Sequence, residues 1–283
     1  MDWCVHTIPS KRLRPRCWSS AEYFAIGPIS LLVTTTVMPS SVPHQILLSK
    51  LSNLKARLPV RTARLLSLHL LYTTPISSEP SNAYLNLARL LSPTDHVVLF
   101  PGNFSILPPP MLLDTLSSQL RDQSHHLRII SNQNDRKFPL AALAPALMPK
   151  DHSVWCTERF FLSSSRDSDW EACLWQLWLD SLGDVEFIQS TDWRESEPVL
   201  WPTNSTLVSP STKSIFAPLK LAKNKLRQRM SVKYRTETCI LAGKRLDALS
   251  FADRDEKAML KAAWLKRACE KVRQVSLISN CVY

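Results

Sequence analysis

Pro80–Pro110, PSNAYLNLARLLSPTDHVVLFPGNFSILPPP, reads as a helix, a stop, a buried strand and a loop in succession. Leu85, Ala88 and Leu91 recur at helical spacing over Asn82–Leu91, and Ser81 or Asn82 can cap the start. Ser92-Pro93 ends that helix, because proline restricts the residue before it and has no N–H to continue the ladder. Val97-Val98-Leu99-Phe100 is an uninterrupted apolar run, β-branched at its start, as in a strand covered on both faces. Pro101-Gly102-Asn103 breaks it. Open α/β sheets bind ligands in loops that leave the carboxyl ends of buried strands, so chemistry is expected around Phe100–Ser105.

The pattern continues on both sides. Ile29–Val37 reads as a strand, and His44–Leu58 as a helix whose stripe is Ile46, Leu47, Leu51, Leu54 and Leu58. Arg64–Tyr72 (RLLSLHLLY) reads as a strand in which His69 is a core histidine rather than a ligand. Pro110–Gln123 is a further helix and Leu127–Ser131 a further strand. This alternation implies a mostly parallel sheet flanked by helices and joined by right-handed crossovers.

A second block begins near Asn134. Trp170, Cys173, Leu174, Leu177, Trp178 and Ser181 mark an amphipathic helix over Asp169–Leu182, with Gly183 suited to its C-terminal cap. Val185–Ile188 follows as a strand. The tryptophans between Trp155 and Trp178 are read as core rather than as walls of a sugar pocket. The tail is helical. A basic helix runs from Leu219 to about Ala242, and another over Asp253–Val275 carries Leu260, Trp264, Ala268 and Val272 on one stripe. Asp253 and Glu256 form a capping-box-like start for the second.

Composition narrows the function classes. The 283 residues suffice for one large α/β domain, and a hydrophobic content of 45% is that of a globular protein. Only 4 glycines occur, at Gly27, Gly102, Gly183 and Gly243, too dispersed for a P-loop or a dinucleotide fingerprint. Lys213–Arg273 holds seventeen Lys and Arg against six Asp and Glu, which accounts for the whole net charge of +11. Such a segment could meet nucleic acid, an anionic membrane or a nucleotide diphosphate, although a solvated helical face is the plainer reading. The 7 cysteines include no CxxC pair, which argues against a zinc or thioredoxin motif. Cys156 and Cys173 could pair in an oxidising compartment; free buried thiols are the reading adopted. The apolar stretch Tyr23–Met38, interrupted by Gly27-Pro28, is too short for a membrane span. Asn103-Phe104-Ser105 and Asn204-Ser205-Thr206 match the N-glycosylation pattern.

Four blocks in one order carry a family resemblance. Gly27-Pro28-Ile29-Ser30 resembles an opening G-P-[IV]-S strand. Pro80–Arg89 resembles a P-x-N-x-x-R-N-x-A-R helix, with Leu85 in place of arginine. Val97–Pro108 resembles a strand ending in D-x-D-F-x-P, and Thr157-Glu158-Arg159-Phe160 a D-E-R-F motif. Phe216–Cys239, with Asn224-Lys225-Leu226, is similar to a closing N-K-L-Y-like helix. Together these resemble glycosyltransferase family 49, which includes the LARGE-type glucuronyltransferases, here in a divergent, fungal-like form covering about residues 25–240.

The resemblance implies a GT-A-like fold, that of nucleotide-diphospho-sugar transferases, with a basic helical C-terminal extension. Residues 1–24 would be a basic disordered lead, 25–240 the transferase-like domain and 241–283 the extension. The implied partners are a nucleotide sugar, with a UDP-sugar suspected, and a glycan or glycoprotein acceptor. The implied substrate-binding residues are Asn82, Asn86, Arg89, Asn103, Arg159, Lys223 and Lys225, and the candidate bases are Glu158 and Asp169. Mn or Mg is the family's expected cofactor, held by two aspartates and itself bridging the diphosphate. Here those positions fall on Pro101 and Asn103, and a late histidine ligand is missing because the last histidine is His152. No metal ligand is therefore assigned.

Two readings follow. In one the protein is a metal-independent transferase, with Lys223, Lys225, Arg227 or Arg229 neutralising the leaving diphosphate. In the other it is a non-catalytic relative, a pseudoenzyme that binds a sugar, a nucleotide or a protein partner. A remote third is nucleic-acid binding through the basic tail, which no recognised motif supports. The family implies the Golgi lumen; with no signal or anchor in the chain, the cytoplasm is expected if the chain is complete.

Overall fold

The computed structural model describes residues 2–9, 28–74, 81–101, 116, 127–131, 138, 140–141, 143–156, 166–189, 217–250 and 259–270. The protein is a mixed α/β chain that divides into two compact units. The first comprises Met1–Arg136, Ala141–Glu158 and Val185–Glu197; the second comprises Lys137–Leu140, Arg159–Asp184 and Pro198–Tyr283. No helix among the described residues is long and apolar enough to cross a membrane.

The first unit is built on seven strands: β1 (Asp2–Pro9), β2 (Ile29–Thr35), β3 (Leu66–Tyr72), β4 (His96–Phe100), β5 (Arg128–Ser131), β6 (Ala146–Pro149) and β7 (Glu186–Gln189). They form one sheet in the order β3-β2-β1-β4-β6-β5-β7. β1 to β4 run parallel, as do β5 and β7, while β6 is antiparallel to both of its neighbours. The expected mostly parallel sheet is present, with one strand reversed.

Helices α1 (Val42–Ala56), α2 (Val60–Leu65) and α3 (Ser81–Leu90) belong to this unit. Alternation sets the two faces of the sheet. Ile29, Leu31 and Val33 of β2 join Val98 and Phe100 of β4, Ile130, Leu147 and Ile188 in one cluster, with Leu47 and Leu51 of α1 packed on it. The opposite face meets α3, where the buried Ser30 hydroxyl donates to the Ala88 carbonyl at 3.0 Å. Central strands covered on both sides explain the continuous apolar runs. At the far edge Arg128 of β5 and Glu186 of β7, paired in register, form an ion pair at 2.5 Å. Leu116 is helical and buried; the rest of the helix expected over Pro110–Gln123 lies outside the described residues.

Two strands differ from expectation. Asp2–Pro9 belongs to no disordered lead: it pairs with β2 on one side and β4 on the other, in the middle of the sheet. Its Val5, Thr7 and Ile8 suit a strand, but the Lys11–Arg16 charge cluster dominates the local composition. β6 was not anticipated either, because Ala146-Leu147-Met148 sits between Pro145 and Pro149 and carries no β-branched residue.

The second unit contains α4 (Arg166–Asp180), α5 (Ala217–Ser250) and α6, residues 259–270. α5 runs unbroken through residue 240, so a domain boundary there would cut a helix in the middle. α4 buries the stripe its spacing marks and more besides. Trp170, Ala172, Cys173, Leu174, Trp175, Leu177, Trp178 and Leu179 are all buried, and so are Asp169 and Glu171. A helix buried on nearly every side, carboxylates included, is a central one. Of the tryptophans read as core, Trp170, Trp175 and Trp178 are buried and Trp155 is exposed; Trp175 and Trp178 stack at 5.4 Å between centroids, Phe138 meets Trp175 edge-on at 4.9 Å, and Trp264 of α6 lies 4.8 Å from Trp178.

Glu171 and Arg235 of α5 form a fully buried ion pair at 2.7 Å, with the guanidinium 4.8 Å from the Phe138 ring. Burial pulls the Arg235 guanidinium below its ordinary value, against the opposing pull of the Glu171 carboxylate. The end of α4 is a Schellman motif. Gly183 N–H donates to the Trp178 carbonyl at 2.9 Å and Leu182 N–H to the Leu179 carbonyl at 3.0 Å. The left-handed cap residue is therefore Leu182, at φ 54°, with Gly183 following at φ 76°. Gly183 is needed for a different reason: a Cβ there would lie 2.3 Å from Cζ2 of Trp264. On α6 the buried residues are Leu265 and Ala268, with Trp264 half-buried and Leu260 exposed, a rotation from the expected stripe.

Cys239 of α5 and Cys269 of α6 form a disulfide across 30 residues of chain. Cys156 and Cys173 are disulfide-bonded as well. The reading of buried free thiols is corrected for all four.

Candidate functional site

The strand order defines where a ligand would bind. From β1 the chain moves outward to β2 and β3, then crosses back to enter β4 on the other side of β1. Connections thus diverge between β1 and β4, and a crevice opens at the carboxyl ends of strands flanking such a switch point. Val5 of β1 is in register with Phe100, the last residue of β4; β1 runs on beside β2 to Pro9, and Pro101 follows β4, buried.

Several polar groups gather at the same carboxyl edge. Thr34 and Thr35 end β2 and are buried, and the Thr35 hydroxyl accepts from Val37 N–H at 3.1 Å. The turn into α1 has Ser40 in the left-handed region at φ 63°, and Ser41 caps the helix by accepting from His44 N–H. Ser40 N–H donates to His44 Nδ1 at 3.1 Å, so the neutral imidazole carries its proton on Nε2. Nε2 then donates to the Tyr72 hydroxyl, 2.6 Å away at the end of β3. His44 and Tyr72 are edge residues that the sequence reading did not single out. The Ser41-x-Pro43-His44 helix start was the available signal, since helices following parallel strands begin at the carboxyl edge.

α3 divides its implied binding residues between the two edges of the sheet. Ala88 sits beside Ser30, the second residue of β2, so the end of α3 lies at the amino edge of the parallel strands. Asn82, fully buried, is about 9 Å further along the axis, towards the carboxyl edge. Arg89 is at the wrong edge for a ligand, and its guanidinium is engaged. Nε donates to the Lys150 carbonyl at 2.7 Å, one terminal nitrogen to Val154 at 2.8 Å, and the other to His152. Trp155 lies flat against it, 4.1 Å from ring centroid to guanidinium carbon. One turn along, the Asn86 side-chain amide donates to the Cys156 carbonyl.

Arg89 and Asn86 thus hold the 150–156 segment along α3 through alternate carbonyls. Both residues, implied as substrate-binding, thus direct side-chain donors to backbone carbonyls. The segment they hold leads directly into Thr157-Glu158-Arg159.

The other implied residues are dispersed. Asp169 is buried in the first turn of α4, in the second unit, where a carboxylate complements the helix dipole. Burial there does not suit a solvent-reaching base. Lys223 and Lys225 lie in the first part of α5, and only their backbone is described. Asn103, Glu158, Arg159 and both glycosylation sequons lie outside the described residues. His69 is half-buried on β3, its Nε2 has no hydrogen-bond partner, and desolvation lowers its pKa.

The described residues of this edge offer no ligand set for a divalent cation. Pro101 offers no side-chain ligand, and among the described residues no three His, Cys, Asp or Glu side chains converge as a metal group. Asp95 precedes β4, and its carbonyl accepts from Lys150 N–H at 2.7 Å, which places it at the amino edge. A scan against protein-family models matches none of them to this chain, and a search of curated proteins finds no similar sequence.

Proposed function

We propose that the chain is a GT-A-type, glycosyltransferase-like protein resembling family 49 that binds a nucleotide diphosphate sugar, a UDP-sugar first, at the carboxyl edge of β1 and β4. The observation that carries this reading is the switch point itself, with β4 ending there at Phe100 before Pro101. A mostly parallel sheet covered on both faces supports the GT-A-type reading. α1 and α3 both begin at the ligand-facing edge, and helix N-termini favour diphosphate through their free N–H groups and dipole. Binding proceeds without Mn or Mg, because the residues at 101 and 103 do not fit a hard cation. The acceptor is a hydroxyl of a glycan or glycoprotein. Four disulfide-bonded cysteines fit an oxidising compartment such as the Golgi lumen.

The non-catalytic form of this reading has its own support. Proline stands at a ligand position, and Asn86 and Arg89 are committed to backbone carbonyls. Thermal unfolding with UDP-sugars in EDTA, run beside sugar-release and transfer assays, separates the two. A raised Tm with turnover supports a metal-free transferase, and a raised Tm without turnover a binding relative. No shift with any nucleotide sugar removes both.

A further inference from the structure

We propose that the Cys239–Cys269 bridge is a reversible latch that holds α6 against the aromatic core of the second unit. Across the described residues of α6, 259–270, only Leu265 and Ala268 are buried, with Trp264 half-buried, and helical stability in water comes mainly from tertiary packing of this kind. Its docking also carries a cost. Trp264 closes over Trp178, whose indole Nε1 is buried with no hydrogen-bond partner. Lifting α6 returns that N–H to water, so the bridge opposes a local tendency to open.

Cys239 is 8% exposed and Cys269 half-buried, so a reductant reaches the bridge from the Cys269 side. Cys239 and Cys269 line an open cavity of about 350 Å³ between α5 and α6, together with Gly243, Leu246 and Leu265. Beside Gly243 a Cβ would meet no atom of the described residues within 4 Å. Cys156 and Cys173, also disulfide-bonded, are each 1% exposed. Accessible disulfides are the labile ones, and buried ones resist exchange.

Opening takes two electrons and two protons from a dithiol. Its thiolate attacks one sulfur of the bridge and forms a mixed disulfide, releasing the other sulfur as thiolate. The second thiol of the reductant then resolves the mixed disulfide, leaving Cys239 and Cys269 reduced and the reductant oxidised. With the latch open, α6 leaves and the Trp178–Trp264 contact separates.

The test is a dithiothreitol titration of the full chain, quenched with an alkylating reagent and read by peptide mass spectrometry. Hydrogen exchange and tryptophan emission are recorded in parallel. Cys239 and Cys269 are expected to be alkylated at about one-tenth of the reductant exposure that Cys156 and Cys173 need. Peptide 259–270 should lose protection and emission should shift red, with the strands of the sheet unchanged. Cys239→Ser should show the open pattern without reductant; if it does not fold, the titration of the unaltered chain still decides. Simultaneous reduction of all four cysteines, or an opened bridge with peptide 259–270 still protected, would overturn the proposal.

Discussion

Replacing Arg89 tests the central structural reassignment of the α3 motif. Its guanidinium makes charge-assisted bonds to the carbonyls of Lys150, His152 and Val154 while fully buried itself. Hydrogen bonds to a charged group are worth about 1.5–3 kcal/mol each, but three to one side chain do not add. Trp155, 39% exposed, leaves a path for water to reach the freed carbonyls. Arg89→Met should therefore destabilise the 150–156 segment by about 3–5 kcal/mol. Arg89→Lys keeps the charge but loses the planar fork, and should cost about 1–3 kcal/mol. Whole-chain unfolding need not be two-state with two compact units, so native-state hydrogen exchange of peptide 150–156 is the better assay. At 1.4 kcal/mol per decade, Arg89→Met should speed its exchange by about 100-fold or more. A change below about threefold, or equal behaviour of Lys and Met, would refute the clamp.

Three further outcomes follow from the packing. Arg235→Met leaves the Glu171 charge buried without its arginine and should cost about 3–5 kcal/mol in urea unfolding, with Glu171→Leu added to it restoring most of the loss. Gly183→Ala meets Trp264 at 2.3 Å in a left-handed backbone and should cost about 2–3 kcal/mol, of which Trp264→Ala relieves only the steric part. Folded His69 stays neutral to lower pH than the unfolded residue, whose ordinary value is 6.5. The unfolded chain therefore binds the extra proton, and stability falls as pH drops below that value. His69→Gln should flatten the Tm profile between about pH 6.5 and 5; a profile parallel to the unaltered chain would contradict this.

How much was legible in the sequence depended on the kind of signal. α3 and β4 were readable because Ser92-Pro93 and Pro101 punctuate two apolar patterns of different period. β1 was hidden because eight strand residues precede a cluster of arginines, and strand pairing is a long-range property that local charge obscures. β6 lacked β-branched residues and was flanked by prolines, yet pairing with β4 and β5 imposes the strand. The motif around Arg89 was visible, but its role was not. Its partners are backbone carbonyls about sixty residues away, and a carbonyl has no residue-type signature. The disulfides escaped for a related reason: Cys239 and Cys269 sit 30 residues apart on two helices whose facing no spacing rule supplies. His44 and Tyr72 were readable as a helix start and a strand end, but their meeting at the carboxyl edge required the β2–β3 pairing.

The most direct measurement is hydrogen exchange of the full chain with and without UDP-sugar in excess EDTA. Protection is expected at the carboxyl ends of β2 and β4 and at the start of α1, in peptides spanning residues 33–44 and 97–101, without added metal. Protection confined to α5, or dependent on added Mn, would contradict a metal-free nucleotide site at the switch point.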